Sequence, residues 1–193
     1  MANGAPSQVI VFRPGEVWCD GARVRINADG AGFLWHQGIC YWFGEHKIAG
    51  EAGNRAEVGV HVYTARDLLA WTDVGIALAV SHDPASEISR GCILERPKVI
   101  HNASTGKFVM WFHLEPPGRG YAGARSGVAV ADAPAGPYRF LGSVRPNAGV
   151  WPLNVPEEQK WPLDSAVTAA LAALELPGGP MPYYPQHVRF RRD

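Results

Sequence analysis

Residues 32–45 read Gly-Phe-Leu-Trp-His-Gln-Gly-Ile-Cys-Tyr-Trp-Phe-Gly-Glu, and residues 98–113 read Lys-Val-Ile-His-Asn-Ala-Ser-Thr-Gly-Lys-Phe-Val-Met-Trp-Phe-His. Each stretch is two short runs of aromatic and β-branched residues joined by a glycine-containing turn, which is how a β-hairpin reads. In the first, His36-Gln37-Gly38 makes a tight turn; in the second, Asn102 to Gly106 does. A shift of 68 positions carries Gly38 to Gly106, Glu45 to His113, Gly59 to Gly127, Val60 to Val128 and Val62 to Val130. The chain therefore contains the same unit twice.

Working outward, the first unit predicts strands at 32–35, 39–43, 58–64 and 71–78. The second predicts strands at 98–101, 107–113, 127–131 and 138–144. Repeated four-stranded antiparallel units argue for propeller blades, each packed face to face on the next. A β-sandwich built from similar strands is the alternative. After Arg145 the composition turns proline-rich and aperiodic. A short helix is expected at 164–176, capped by Asp164 or Ser165 and stopped by Pro177-Gly178-Gly179. The expected organisation is thus residues 1–145 as two blades, and 146–193 as an insertion leading to a third blade that is missing. Two blades leave open sheet edges and an uncovered face, a liability that points to missing sequence or an obligatory partner.

The 193 residues are 47% hydrophobic and 19% charged, an ordinary globular balance. Lysine plus arginine equals aspartate plus glutamate at 18 each, so no net field attracts nucleic acid or an anionic membrane. No apolar run approaches the ~20 residues needed to span a bilayer. Residues 1–8 lack a basic segment followed by an apolar stretch, so no secretory signal is read, and location is left open. Cys19, Cys40 and Cys92 form neither a disulfide framework nor a zinc spacing and read as buried or idle thiols. The histidines are scattered, and no cofactor or metal is expected.

In a propeller, the ends of the innermost strands converge on one mouth. Asp29, set among small residues before the first strand, allows close approach of a ligand, although Asp-Gly is also an ordinary turn dipeptide. Glu45 and Lys47 follow three consecutive aromatics, a mixture that suits sugars and equally suits a strand with a solvated end. Glu95 and Arg96 open the second unit, either in a site or in a surface ion cluster. His113 repeats the position of Glu45 and reads as a hydroxyl ligand or a satisfied core histidine. Tyr121 lies in a glycine-flanked loop that could overhang the mouth.

At these residues the chain resembles glycoside hydrolase family 43, in particular its exo-β-1,3-galactanase-like branch. That branch reads Ile-Asn-Ala-His-Gly-Gly-Gly, Tyr-Tyr-Trp-Tyr-Gly-Glu, and Val-Gly-Val with a following Asp-Leu-x-x-Trp. Next come Glu-Arg-Pro-Lys-Val, Val-Met-Trp-x-His, and Gly-Val-Ala with Ser-x-x-Pro-x-Gly-Pro-Phe. Here the counterparts are 26–32, 41–45, 58–60 with 67–71, 95–99, 109–113, and 127–129 with 131–138. They run in order and cover roughly 16–145, and 146–193 resembles an insertion found in some relatives before the third blade.

The resemblance implies a five-bladed β-propeller that hydrolyses glycosidic bonds with inversion, on galactan or a related plant polysaccharide. It implies that Asp29 stands at the base position, where the galactanase branch has histidine and most other members have aspartate. It implies that Glu45, Glu95 and Tyr121 hold the terminal sugar, with His113 and Lys47 in the pocket wall. Arg96 is expected to orient Glu95 through a charge-assisted bond. The family's acid glutamate and its tuning aspartate come from later blades and are not found in 1–193. The polypeptide is therefore expected to be truncated and inactive by itself; a non-catalytic carbohydrate-binding or interaction module is the other reading.

Overall fold

The computed structural model describes residues 13–50 and 53–145; the expected helix at 164–176, like the rest of 146–193, lies outside them. The protein is all-β there, with two four-stranded antiparallel sheets. The first holds β1 (Asp29–His36), β2 (Ile39–Glu45), β3 (Gly59–Ala65) and β4 (Thr72–Ala79). The second holds β5 (Ile93–Asn102), β6 (Lys107–Glu115), β7 (Arg125–Ala131) and β8 (Arg139–Val144). Both are meanders in chain order. Among the described residues the one helical element is a 3-10 turn, Tyr121–Gly123. Both sheets, up to Gly142, fall in one compact unit.

The turns follow their residues. Gln37 (φ 48°) and Gly38 (φ 74°) both take positive φ, as a two-residue hairpin with the strands' own twist demands. At the longer turn, Asn102 O accepts from Gly106 N at 2.8 Å while its side chain accepts from Ser104 N at 3.1 Å.

The ladders refine the repeat. Asp29 pairs with Glu45, and Glu95 pairs with His113, so the counterpart of Asp29 is Glu95 rather than the residue 68 positions on. Val60 faces Glu45 while Ser126 faces His113, which makes Ser126, not Val128, the ladder counterpart of Val60. The turn between β5 and β6 is two residues longer than that between β1 and β2, and the loop before β7 two residues shorter than that before β3. Side chains alternate with period two along a strand, so a two-residue slip keeps every side chain on its face. That is why the repeat stays legible in sequence.

The sheets pack face to face. Tyr41, Phe43, Val60 and Val62 of the first meet Phe108, Met110, Phe112 and Leu114 of the second in one core. The backbones touch where β1 meets β5: a Cβ on Gly32 would lie 1.8 Å from Pro97 O, so only glycine admits the approach. Lys98 Nζ donates to Ala31 O at 2.7 Å across the same seam. The opposite face of the first sheet carries Cys40, Trp42, Tyr63 and Ala65, which with Trp71, Ile26 and Ala28 form a second core. Trp18 joins it, edge-on to Trp42 at 5.1 Å. All three cysteines are free; Cys40 and Cys92 are buried, and burial pushes the Cys92 thiol up to about 12.

Candidate functional site

The site begins with two matching bulges. β1 slips register between Asp29 and Gly32, and β5 slips between Glu95 and Lys98. In each, the residue after the carboxylate takes a left-handed φ: Gly30 at 61° and Arg96 at 52°. A bulge bends its strand and re-aims the side chain beside it. Glycine adopts that conformation without penalty; arginine does not, and Pro97 further narrows Arg96 toward extended backbone. Strain of this kind persists where surrounding structure enforces it.

The bulges bring three carboxylates together. A Cβ on Gly30 would sit 3.2 Å from Arg96 N and 3.4 Å from Glu45 Oε1, so β1, the end of β2 and the β5 bulge converge at one point. Glu45 is buried at 8% exposure. Its pKa is raised, first by burial and then by the charges of Glu95 and Asp29, against the opposing pull of Lys47. Glu45 and Glu95 therefore share one locality with Asp29, and Glu45 keeps its proton more readily than an exposed glutamate.

The remaining expected residues surround this cluster at different distances. Lys47 Nζ is 3.7 Å from Glu45 Oε1, an ion pair too long for a hydrogen bond. Arg96 Nη1 is 3.8 Å from Glu95 Oε2 on a side chain 71% exposed. The expected charge-assisted bond is thus only a loose contact, because the left-handed backbone of Arg96 carries its side chain toward solvent. His113 bonds through Nε2 to Glu115 Oε1 at 3.0 Å, with its ring 5.9 Å from that of Tyr121. Tyr121 is 75% exposed.

Several supporting residues escape a reading by motif. Asn27 clamps the loop after β2: its Nδ2 donates to Lys47 O at 2.8 Å and its Oδ1 accepts from Lys47 N at 2.9 Å. Its own N–H donates to Tyr63 Oη at 3.1 Å. Asp73, His61 and His46 form a string, with Asp73 Oδ1 2.6 Å from His61 Nε2 and the two imidazole Nδ1 atoms 3.0 Å apart. Burial, then the neighbouring His61, holds the His46 pKa below its ordinary value. The alternation of Arg25, Asn27 and Asp29 with buried Ile26 and Ala28 is the sequence signal that could have exposed Asn27. The histidine string has none, since its members are brought together only by pairing of β2, β3 and β4.

The chain is similar to solved structures of carbohydrate-active proteins. It is 47% identical to a glycoside hydrolase family 43 β-1,3-galactosidase solved with galactodeoxynojirimycin, with a TM-score of 0.71 over 86% of this chain and 52% of that one. The exo-β-1,3-galactanase of Phanerochaete chrysosporium, solved with galactose, is 39% identical over 68% of this chain and 29% of its own, at a TM-score of 0.61. That of Clostridium thermocellum is 36% identical over 69% and 27%, at 0.59. The chain thus spans about half the length of the first of these and less than a third of the others. No protein-family model and no curated protein matches it.

Proposed function

This chain belongs to glycoside hydrolase family 43, in the branch of the β-1,3-galactosidases and exo-β-1,3-galactanases, and we propose that it carries the sugar-gripping half of an inverting exo-galactosidase site. The observation that carries the reading is the convergence of Asp29, Glu45 and Glu95 on the paired bulges of β1 and β5. Three carboxyls around one point offer many acceptor positions, and hydroxyl-rich rings are donors to match. Glu95 and Glu45 grip adjacent hydroxyls of a terminal galactose by accepting hydrogen bonds from them. Tyr121 and His113 flank the ring, and Lys47 balances the charge at Glu45.

Inverting hydrolysis needs a carboxylate base that activates water and an acid on the leaving oxygen, ~6.5–9.5 Å apart. Asp29 takes the base role in this reading. The acid belongs to further blades, and turnover is a property of the site they complete. The two sheets are then adjacent blades of a five-bladed propeller. One contrast supports that arrangement. Phe43 and Leu34 of the first sheet lie against the core shared with the second. Their counterparts Trp111 and Ile100 on the outer face of the second sheet are 42% and 56% exposed. A further sheet seated there would cover them as the second covers the first.

Galactose titrated into the 193-residue chain, followed by NMR, tests the grip: Glu95→Gln is expected to weaken binding at least tenfold. In a full-length relative carrying residues 13–145 of this chain, Asp29→Asn is expected to lower turnover by about 10²-fold or more while galactose still binds. Unchanged turnover refutes the base role. Galactose binding with no turnover in that full-length protein favours the non-catalytic binding module instead.

A further inference from the structure

A string of side-chain hydrogen bonds crosses the first sheet behind the sugar grip, from Asp73 on β4 through His61 on β3 to His46, the residue after β2. We propose that these three are positioning residues: Asp73 fixes which nitrogen of each imidazole holds the proton, and the string so ordered locks the turn that presents Glu45 and Lys47. The proposal rests on the galactose reading only for the identity of the ligand.

The sheet delivers each member. His61 pairs with Gly44 and shares the face of Tyr63, while Glu45 and its partner Val60 take the other face. Between Val62 and Tyr63 the β3–β4 register slips: Gly75 faces Val62, but Asp73 faces Tyr63. Regular pairing would set Val74 opposite Tyr63 and turn Asp73 to the far side. The bulge, with Gly75 at φ 103°, re-aims Asp73 onto the histidine face. Gly75 N then donates to Asp73 Oδ1 at 2.8 Å and holds the carboxylate in place. His61, 7% exposed, meets that same oxygen through Nε2 at 2.6 Å.

The donor order follows from the chemistry of the groups. The two imidazole centres are 5.2 Å apart with planes 11° from parallel, and the Nδ1 atoms are 3.0 Å apart. The two ring radii and the gap between nitrogens use up that separation, so the rings lie edge to edge with their Nδ1 atoms facing, as a hydrogen bond requires. A carboxylate only accepts, so His61 carries its proton on Nε2. A neutral imidazole has one N–H, so His61 Nδ1 accepts and His46 donates from Nδ1. Burial and the neighbouring His61 lower the His46 pKa, which favours that neutral pair. The string also closes on itself. His61 stacks on Tyr63 with centroids 4.5 Å apart, and Tyr63 Oη accepts from Asn27 N at 3.1 Å. Asn27 clamps the backbone of Lys47, the residue next to His46, through two bonds of 2.8 and 2.9 Å. The turn is thereby held from both sides.

The test is NMR of the 193-residue chain labelled with nitrogen-15, at about pH 8, above the ordinary imidazole range. His61 is expected to carry its proton on Nε2 and His46 on Nδ1, the two rings being assigned with His46→Gln and His61→Gln. Asp73→Ala should release the His46 proton from Nδ1, speed hydrogen exchange of the Lys47 amide at least tenfold and weaken galactose binding several-fold. The amides of β6 serve as the control and should exchange as in wild type. Asp73→Asn, whose amide oxygen still accepts from His61, should keep the tautomers and the Lys47 protection. Wild-type His46 protonated on Nε2 overturns the proposal, as does an unchanged Lys47 amide or unchanged galactose affinity in Asp73→Ala. Asp73→Asn behaving like Asp73→Ala overturns it too, and so does exchange speeded equally in β6, which would mean general loosening. Failure of wild type to bind galactose sinks the galactose reading instead, and the proposal then stands or falls on the tautomers and the Lys47 amide.

Discussion

Replacing Arg96 with glycine should make the protein more stable and its sugar grip worse. Arg96 sits at φ 52° in the β5 bulge, where its counterpart in β1 is Gly30 at 61°. Left-handed backbone costs a non-glycine residue about 1–2 kcal/mol, and the Pro97 that follows adds a further restriction. Against that gain, glycine frees the unfolded chain by about 0.4–1 kcal/mol. The lost contact with Glu95, at 3.8 Å on a side chain 71% exposed, contributes little. The balance is a net stabilisation of about 0.5–1 kcal/mol, or roughly 1–4 °C in midpoint for a chain of this size. Urea denaturation of wild type, Arg96→Gly and Arg96→Ala measures it. Alanine keeps the strain and loses the contact, so the gap between the two variants isolates the backbone term. The same loosened bulge should let Glu95 wander, and galactose affinity should fall several-fold in Arg96→Gly. A glycine variant less stable than the alanine variant would refute the strain argument, and unchanged affinity would refute its link to the aim of Glu95.

Two further outcomes follow from the same geometry. Because the folded-state pKa of Glu45 is raised above its ordinary value of 4.5, its contribution to stability is complete below that pH and is lost as pH rises through the folded value. Glu45→Gln should therefore gain stability over wild type as pH climbs from 4 to 7 in urea titrations; a pH-independent difference would exclude a buried, charge-crowded carboxyl. Gly44→Ala would place a Cβ 2.1 Å from Ala28 C and 2.2 Å from Ala28 O, and backbone cannot yield as a side-chain tip does. A loss of about 3 kcal/mol or more is expected, together with loss of the Trp42 Nε1 bond to Ala28 O, and a variant as stable as wild type by urea denaturation would contradict the close approach.

All eight strands could be read from residues 32–144, because hairpins are local. Glycines and asparagine mark the turns, and the period-two burial of aromatic and β-branched residues marks the faces. The copying of one unit into a second was legible for the same reason, and the two-residue slips that the ladders revealed do not disturb it. Local sequence could nominate Asp29, Glu45 and Glu95 but not join them. The glycine that admits Pro97 against β1, the two left-handed residues that re-aim the carboxylates, and the burial that raises Glu45 all depend on how β1 meets β5. Side-chain alternation is a property of one strand, whereas the joint influence of Asp29 and Glu95, 66 positions apart, on Glu45 exists only once two sheets have packed.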